Sequence, residues 1–99
     1  MDIMISSKNN EKFYLDKNVI TIGTNPGCNF QLNLDYEVLL TVQYDFSIGN
    51  YIILNTFGNK KVLFRSEPLR RLELGSINKI LFENSDEFLN IRVLQRLSA

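Results

Sequence analysis

The chain has 99 residues, 44% of them hydrophobic and 11% aromatic, which is the apolar content of one folded domain and not of a disordered tail. Its 11 Lys and Arg balance 11 Asp and Glu, so it lacks the basic excess that nucleic-acid backbones and anionic membranes demand. One cysteine and no histidine exclude an internal disulfide, a His/Cys zinc site and imidazole acid–base chemistry, and favour a reducing, cytoplasmic setting.

Met1 to Ser7 has neither a basic leader nor a long apolar core, so it does not read as a signal peptide. No apolar run approaches the roughly 20 residues of a membrane span. The reading is a single soluble domain over 1–99, expected to be the N-terminal module of a larger protein. Alternation of apolar and polar residues begins at once with Ile3 and Ile5. A polar turn, Ser6 to Glu11, leads to Phe13 and Leu15 flanking Tyr14. Val19 to Ile22 is a β-branched run, predicting a strand buried on both faces or central in a sheet. Leu40, Val42, Tyr44 and Phe46 alternate with Thr41, Gln43 and Asp45, which predicts a half-buried strand.

Ser47 to Asn50 then forms a hairpin turn, with Tyr51 to Leu54 as the returning strand. Phe57-Gly58-Asn59 is the next turn, before Val62 to Phe64. Leu72 to Ser76 leads into Ile77 to Phe82, and a polar turn at Glu83 to Glu87 precedes the last element. That element is ambiguous. Phe88, Ile91, Leu94 and Leu97 recur at helical spacing, with Arg92 and Arg96 near the C-terminal end, whereas a strand would put Leu89, Ile91 and Val93 on one face. Pairing with Ile77 to Phe82 across a short turn favours the strand, with a helical final turn. Short strands every 8 to 12 residues with turn chemistry between them predict an all-β sandwich or barrel.

The order of these pieces resembles the forkhead-associated (FHA) domain, a β-sandwich of about ten to eleven mostly antiparallel strands. The residues that carry the resemblance are Ile22-Gly23 at a strand end and the strand Cys28-Asn29-Phe30-Gln31-Leu32. To these add the hairpin from Leu40 to Leu54 and the stretch Leu72-Glu73-Leu74-Gly75-Ser76-Ile77-Asn78-Lys79-Ile80. The resemblance implies a non-catalytic module that binds other proteins through its loop edge. It departs from the family at the phosphothreonine site. Thr24 stands where the family has Arg, and Tyr36 to Val42 contains none of the Ser, Arg and His of the family's next motif. Phe57 stands where a peptide-gripping Asn is usual, within Phe57-Gly58-Asn59. A charge-assisted hydrogen bond of the kind that Arg supplies is worth roughly 1.5–3 kcal/mol. Asp35 and Glu37 would repel a phosphate besides, so phosphopeptide binding is not expected. The run Thr21-Ile22-Gly23-Thr24-Asn25 is similar to that of degenerate FHA domains in FtsK/SpoIIIE-type ATPases of type VII secretion systems. That similarity implies a cytoplasmic module of a bacterial assembly that docks its partner independently of phosphorylation.

The candidate partner-binding residues are therefore Thr24, Asn25, Asn33, Asp35, Tyr36, Glu37, Phe57 and Asn59. Each has a plainer reading. Asn25 and Asn33 suit turns, because Asn tolerates left-handed backbone and bonds its own chain. Asp35, Tyr36 and Glu37 read as a solvated loop, or as an aromatic anchor beside carboxylates for a basic partner. Phe57 is either tucked under its loop or an exposed contact. Cys28 reads as a small buried hydrophobe. Lys60, Lys61, Arg65, Arg70 and Arg71 form a basic stretch that reads as a solvated edge. If that stretch joins Thr24 and Asn25, a phosphopeptide site of altered chemistry results. A nucleic-acid-binding barrel would want exposed aromatics among these cations, and only Phe64 is near. Asp86-Glu87 shows no sign of a catalytic carboxylate pair, and Gly23-x-x-x-Gly27 lacks the Lys of a phosphate loop. No enzyme, cofactor, metal site or nucleic-acid partner is expected, and the sequence leaves the oligomeric state open.

Overall fold

The structure, a computed structural model, describes residues 1–94 and contains eleven strands and no helix among them. The strands are β1 (Asp2–Ser6), β2 (Glu11–Leu15), β3 (Val19–Gly23), β4 (Phe30–Gln31), β5 (Leu39–Asp45) and β6 (Asn50–Asn55). They continue as β7 (Val62–Phe64), β8 (Glu67–Pro68), β9 (Arg71–Glu73), β10 (Ile77–Phe82) and β11 (Phe88–Leu94). One sheet has the order β2-β1-β11-β10-β7-β8, and the other β4-β3-β5-β6-β9. The pairings are antiparallel apart from β3 with β4, where Ile22 faces Phe30. This is the expected all-β sandwich.

Its core is where the two inner faces meet. Ile3, Ile5, Ile80, Leu89 and Ile91 come from the six-stranded sheet. Ile20, Ile22, Leu40, Val42 and Ile53 come from the five-stranded sheet, and all ten are fully buried. Because side chains alternate with period 2, one inward residue fixes the face of its whole strand. β11 follows that rule, with Leu89 and Ile91 buried and Val93 packed on the core, so Phe88 to Leu94 is a strand. The expected helical final turn, with Arg96 and Leu97, lies outside the described residues.

Among the described residues, two polar side chains are buried, and both are used. Asn78 accepts the Gly75 N–H at 2.8 Å and donates to the carbonyls of Gly75 (2.9 Å) and Ile91 (3.0 Å), which pins the turn before β10. The Glu87 carboxylate accepts the N–H groups of Lys8 (3.1 Å) and Phe88 (3.2 Å), and Lys8 also pairs with Asp86. The β1–β2 and β10–β11 turns are thereby joined.

Several sequence expectations shift. β3 is central in its sheet, paired with β4 and β5 as one of the two expected placements, but is buried on one face only: Val19 is exposed while Ile20 and Ile22 are buried. On β2 the inward residue is Tyr14, packed on the core, and the flanking Phe13 and Leu15 face solvent. β5 ends at Asp45, which caps the turn by accepting the Ser47 N–H at 2.9 Å. Phe46 therefore lies beyond the strand, 76% exposed, with its ring edge-on to Tyr44 at 4.8 Å. A hairpin that the sequence did not announce joins β7 to β8 through Arg65 and Ser66. Both adopt positive φ (52° and 68°) where Asn-Gly would be the usual signal.

Candidate functional site

The loops that follow β3, β4 and β6 converge at one end of the sandwich, and Gly23 is what lets them close. A Cβ there would stand 2.3 Å from the Val38 carbonyl oxygen, so only glycine permits the end of β3 to approach the entry to β5. Across this contact the Thr24 N–H donates to Val38 O (3.1 Å) and the Val38 N–H donates to Thr24 Oγ1 (3.2 Å). The Leu32 N–H donates to Gly23 O at 2.7 Å. Thr24 therefore fastens one loop to the next with both its backbone and its hydroxyl.

Asn25 is a turn residue in its chemistry. Its Oδ1 accepts the Gly27 N–H (2.8 Å) and its carbonyl accepts the Cys28 N–H (3.1 Å), an Asx turn. Asn29 closes the loop against β3, its Oδ1 accepting the Thr21 N–H at 2.9 Å. Cys28 is half-buried rather than buried, because it belongs to this turn and Phe30 takes the inward place on β4. Its thiol is unpaired and rests against the bare backbone of Gly23.

In the β4–β5 loop, Leu34 and Tyr36 pack on the core while Asp35 and Glu37 are exposed. The Tyr36 hydroxyl donates to Glu83 O at 2.8 Å, and the Lys61 ammonium lies 4.7 Å from the centre of its ring. Burial raises the pKa of the phenol, with the Glu83 and Asp35 carboxylates adding to the effect, so it stays a neutral donor at physiological pH. In the β6–β7 loop, Gly58 at φ 67° turns the chain. Asn55 Nδ2 donates to the carbonyls of Asn59 (2.9 Å) and Leu69 (3.0 Å), and Asn59 Nδ2 reaches across to Glu37 O (3.1 Å). Phe57 at the tip is 59% exposed.

Together these loops enclose an open groove of roughly 700 Å³. Six of the eight expected site residues line it: Thr24, Asn25, Asp35, Tyr36, Glu37 and Phe57. Asn59 stands behind it as a brace, and Asn33 is exposed outside it. The sequence reading missed Thr21, Cys28, Leu34 and Leu39 in the lining, and Asn55 in the support. Asn55 carried a usable signal, as a second Asn four positions before Asn59. The lining has two carboxylates and no Lys or Arg. The basic stretch is scattered instead: Lys61 on Tyr36, Arg65 over the Phe64 ring (5.2 Å), and Arg71 4.0 Å from Asp45. Among the described residues, no three His, Cys, Asp or Glu are placed to hold a metal ion, and no helix is long and apolar enough to cross a membrane.

No protein-family model and no curated protein sequence matches the chain. Solved structures do. FHA-1 of Rv1747 from Mycobacterium tuberculosis superposes with a TM-score of 0.76 at 9% identity, over 95% of this chain and 97% of that one. The Slr1951 protein from Synechocystis sp. gives 0.65 at 10% identity, over 95% and 98%. The chain therefore has an FHA-like fold.

Proposed function

We propose that this chain is a non-catalytic protein-interaction module whose loop groove binds an unmodified polypeptide, without any need for phosphothreonine. The observation that carries this reading is the groove's charge: Asp35 and Glu37 line it, and no Lys or Arg does. A phosphate dianion held there would meet two carboxylates and no charge-assisted donor. A segment with Lys or Arg beside an aliphatic or aromatic residue would meet complementary charge and the exposed face of Phe57. The run from Thr21 to Asn25 leads us to place the module at the N-terminus of a cytoplasmic bacterial assembly of the secretion-ATPase kind.

A competing reading, a phosphopeptide site of altered chemistry, has one observation in its favour, the Lys61 ammonium over the Tyr36 ring. An amide NMR titration separates the two. We expect unmodified peptides bearing Arg or Lys to shift Thr24, Asn25 and residues 34–39, and a phosphothreonine peptide pool to leave the spectrum unchanged. Phosphate-dependent binding of micromolar affinity, abolished by Lys61→Glu in a folded protein, would overturn the proposal in favour of its rival.

A further inference from the structure

The outer face of the six-stranded sheet is as informative as the groove. Antiparallel partners lie opposite one another on the same face, so the pairing register places Phe13, Met4, Arg92 and Ile77 in one row across β2, β1, β11 and β10. The next row, in the same strand order, is Glu11, Ser6, Asn90 and Lys79. All eight point away from the core, because their strand neighbours Ile3, Ile5, Asn78, Ile80, Leu89 and Ile91 are buried. Large apolar side chains stand in solvent here: Phe13 is 59% exposed and Ile77 is 67% exposed, with Leu15 and Leu81 exposed on the same face.

The two rows are also self-complementary. Glu11 and Lys79 sit at opposite ends of one row, three strand spacings or about 14 Å apart, too far to pair within one chain. Neither takes part in an ion pair among the described residues. A two-fold axis running parallel to the strands, between β1 and β11, would lay a second copy face to face on the first. β2 then lies over β10 of the second copy, and β1 over its β11. Phe13 meets Ile77, Met4 meets the aliphatic stem of Arg92, and Glu11 meets Lys79. Each contact occurs twice, as an isologous interface requires. Sheets packed face to face stand about 10 Å apart and cross at about 30°. That rotation displaces the outer strands by about 4 Å along their length, within the reach of Glu and Lys side chains.

We infer that a second copy of this chain is the occupant of this face, forming a symmetric dimer that leaves the groove open. The four strands that overlap across this axis, β2, β1, β11 and β10, over five residues give a face of about 14 by 17 Å, or about 240 Å² per copy. A stable interface of standard size buries about 800 Å² per partner, so this dimer is weak and forms with rising concentration.

Sedimentation across the micromolar to millimolar range tests it on the 99-residue chain, with circular dichroism to verify the fold. The wild type shows a concentration-dependent rise in mass that salt diminishes. Glu11→Lys and Lys79→Glu each set like charges opposite one another twice and weaken association roughly tenfold. The double substitution Glu11→Lys with Lys79→Glu restores it, since each copy then presents the reversed pair. Phe13→Ser, at an exposed site, removes it without touching charge. A chain that stays monomeric at millimolar concentration, or a charge swap that fails to rescue, overturns the inference.

Discussion

Replacing Gly23 by alanine tests the way this fold builds its groove. The added Cβ would sit 2.3 Å from the Val38 carbonyl oxygen, itself held by the Thr24 N–H, and 3.3 Å from the Leu39 Cα. Both neighbours are backbone, so no side-chain rotation relieves the contact. Merely to reach 3.0 Å, the entry to β5 must retreat by about 0.7 Å, and ordinary contact at 3.4 Å needs about 1.1 Å. Overpacking of this kind costs about 1–3 kcal/mol. The retreat also stretches the two hydrogen bonds between Thr24 and Val38, each worth about 0.5–1.5 kcal/mol. A loss of about 2–5 kcal/mol follows, a large share of the ~5–15 kcal/mol that holds a domain of this size. Urea unfolding should show a midpoint lower by about 1–2 M at unchanged slope. Amide shifts in the surviving native state should be confined to residues 21–25, 32–39 and 56–59. A loss under ~0.5 kcal/mol, or shifts spread over the six-stranded sheet, would refute the view that this approach closes the site.

Three further expectations follow from the same contacts. Asn78→Ala removes three hydrogen bonds at a buried site and leaves the Gly75 N–H and the Ile91 carbonyl wanting partners, so it should cost about 2–4 kcal/mol in the same urea assay. Arg65→Asn with Ser66→Gly puts the residues that favour positive φ into the β7–β8 turn and should stabilise by about 1 kcal/mol, read as a higher thermal midpoint. The pH profile has two shoulders. The Ser47 hydroxyl and N–H bonded to Asp45, and Lys8 bonded to Asp86, lower both carboxyl pKa values in the folded state. Their contribution is therefore present above the ordinary carboxylate range and lost as pH falls through it, and Lys8→Ala should flatten the acid limb. Burial, joined by nearby carboxylates at Tyr36 and Tyr51, raises Tyr14, Tyr36 and Tyr51 above 10.0, so their contribution is complete below that value and lost as pH rises beyond it.

Alternation made most of the sandwich legible in the sequence, because one buried face imposes a period that survives any register. It worked for β1 and β5, whose buried residues Ile3, Ile5, Leu40 and Val42 are aliphatic, and for β11 once pairing with β10 made it a strand. It misled at β2, where three apolar residues in succession give no sign of which one faces in; only the pairing of Ile3 with Tyr14 decides that. It was silent at β7–β8, because Arg-Ser is an uncommon choice for a turn that needs positive φ. The groove was half legible. Loop composition located Thr24, Asn25, Asp35, Tyr36, Glu37 and Phe57, but that Leu34 and Leu39 line the groove depends on how the loops after β3, β4 and β6 fold against one another.

The polar groups of the loop edge are turned inward. Thr24 Oγ1 serves Val38, Asn25 Oδ1 serves Gly27, the Asn59 amide serves Glu37, and the Tyr36 hydroxyl serves Glu83. These bonds hold the loops together and pre-form the groove. A pre-formed groove needs little ordering when it binds, so modest apolar and carboxylate contacts can suffice there. The same economy argues against phosphate as the ligand. A dianion would have to draw the Tyr36 hydroxyl, whose one proton goes to the Glu83 carbonyl, away from a bond that holds the loop, and it would meet the Asp35 and Glu37 carboxylates.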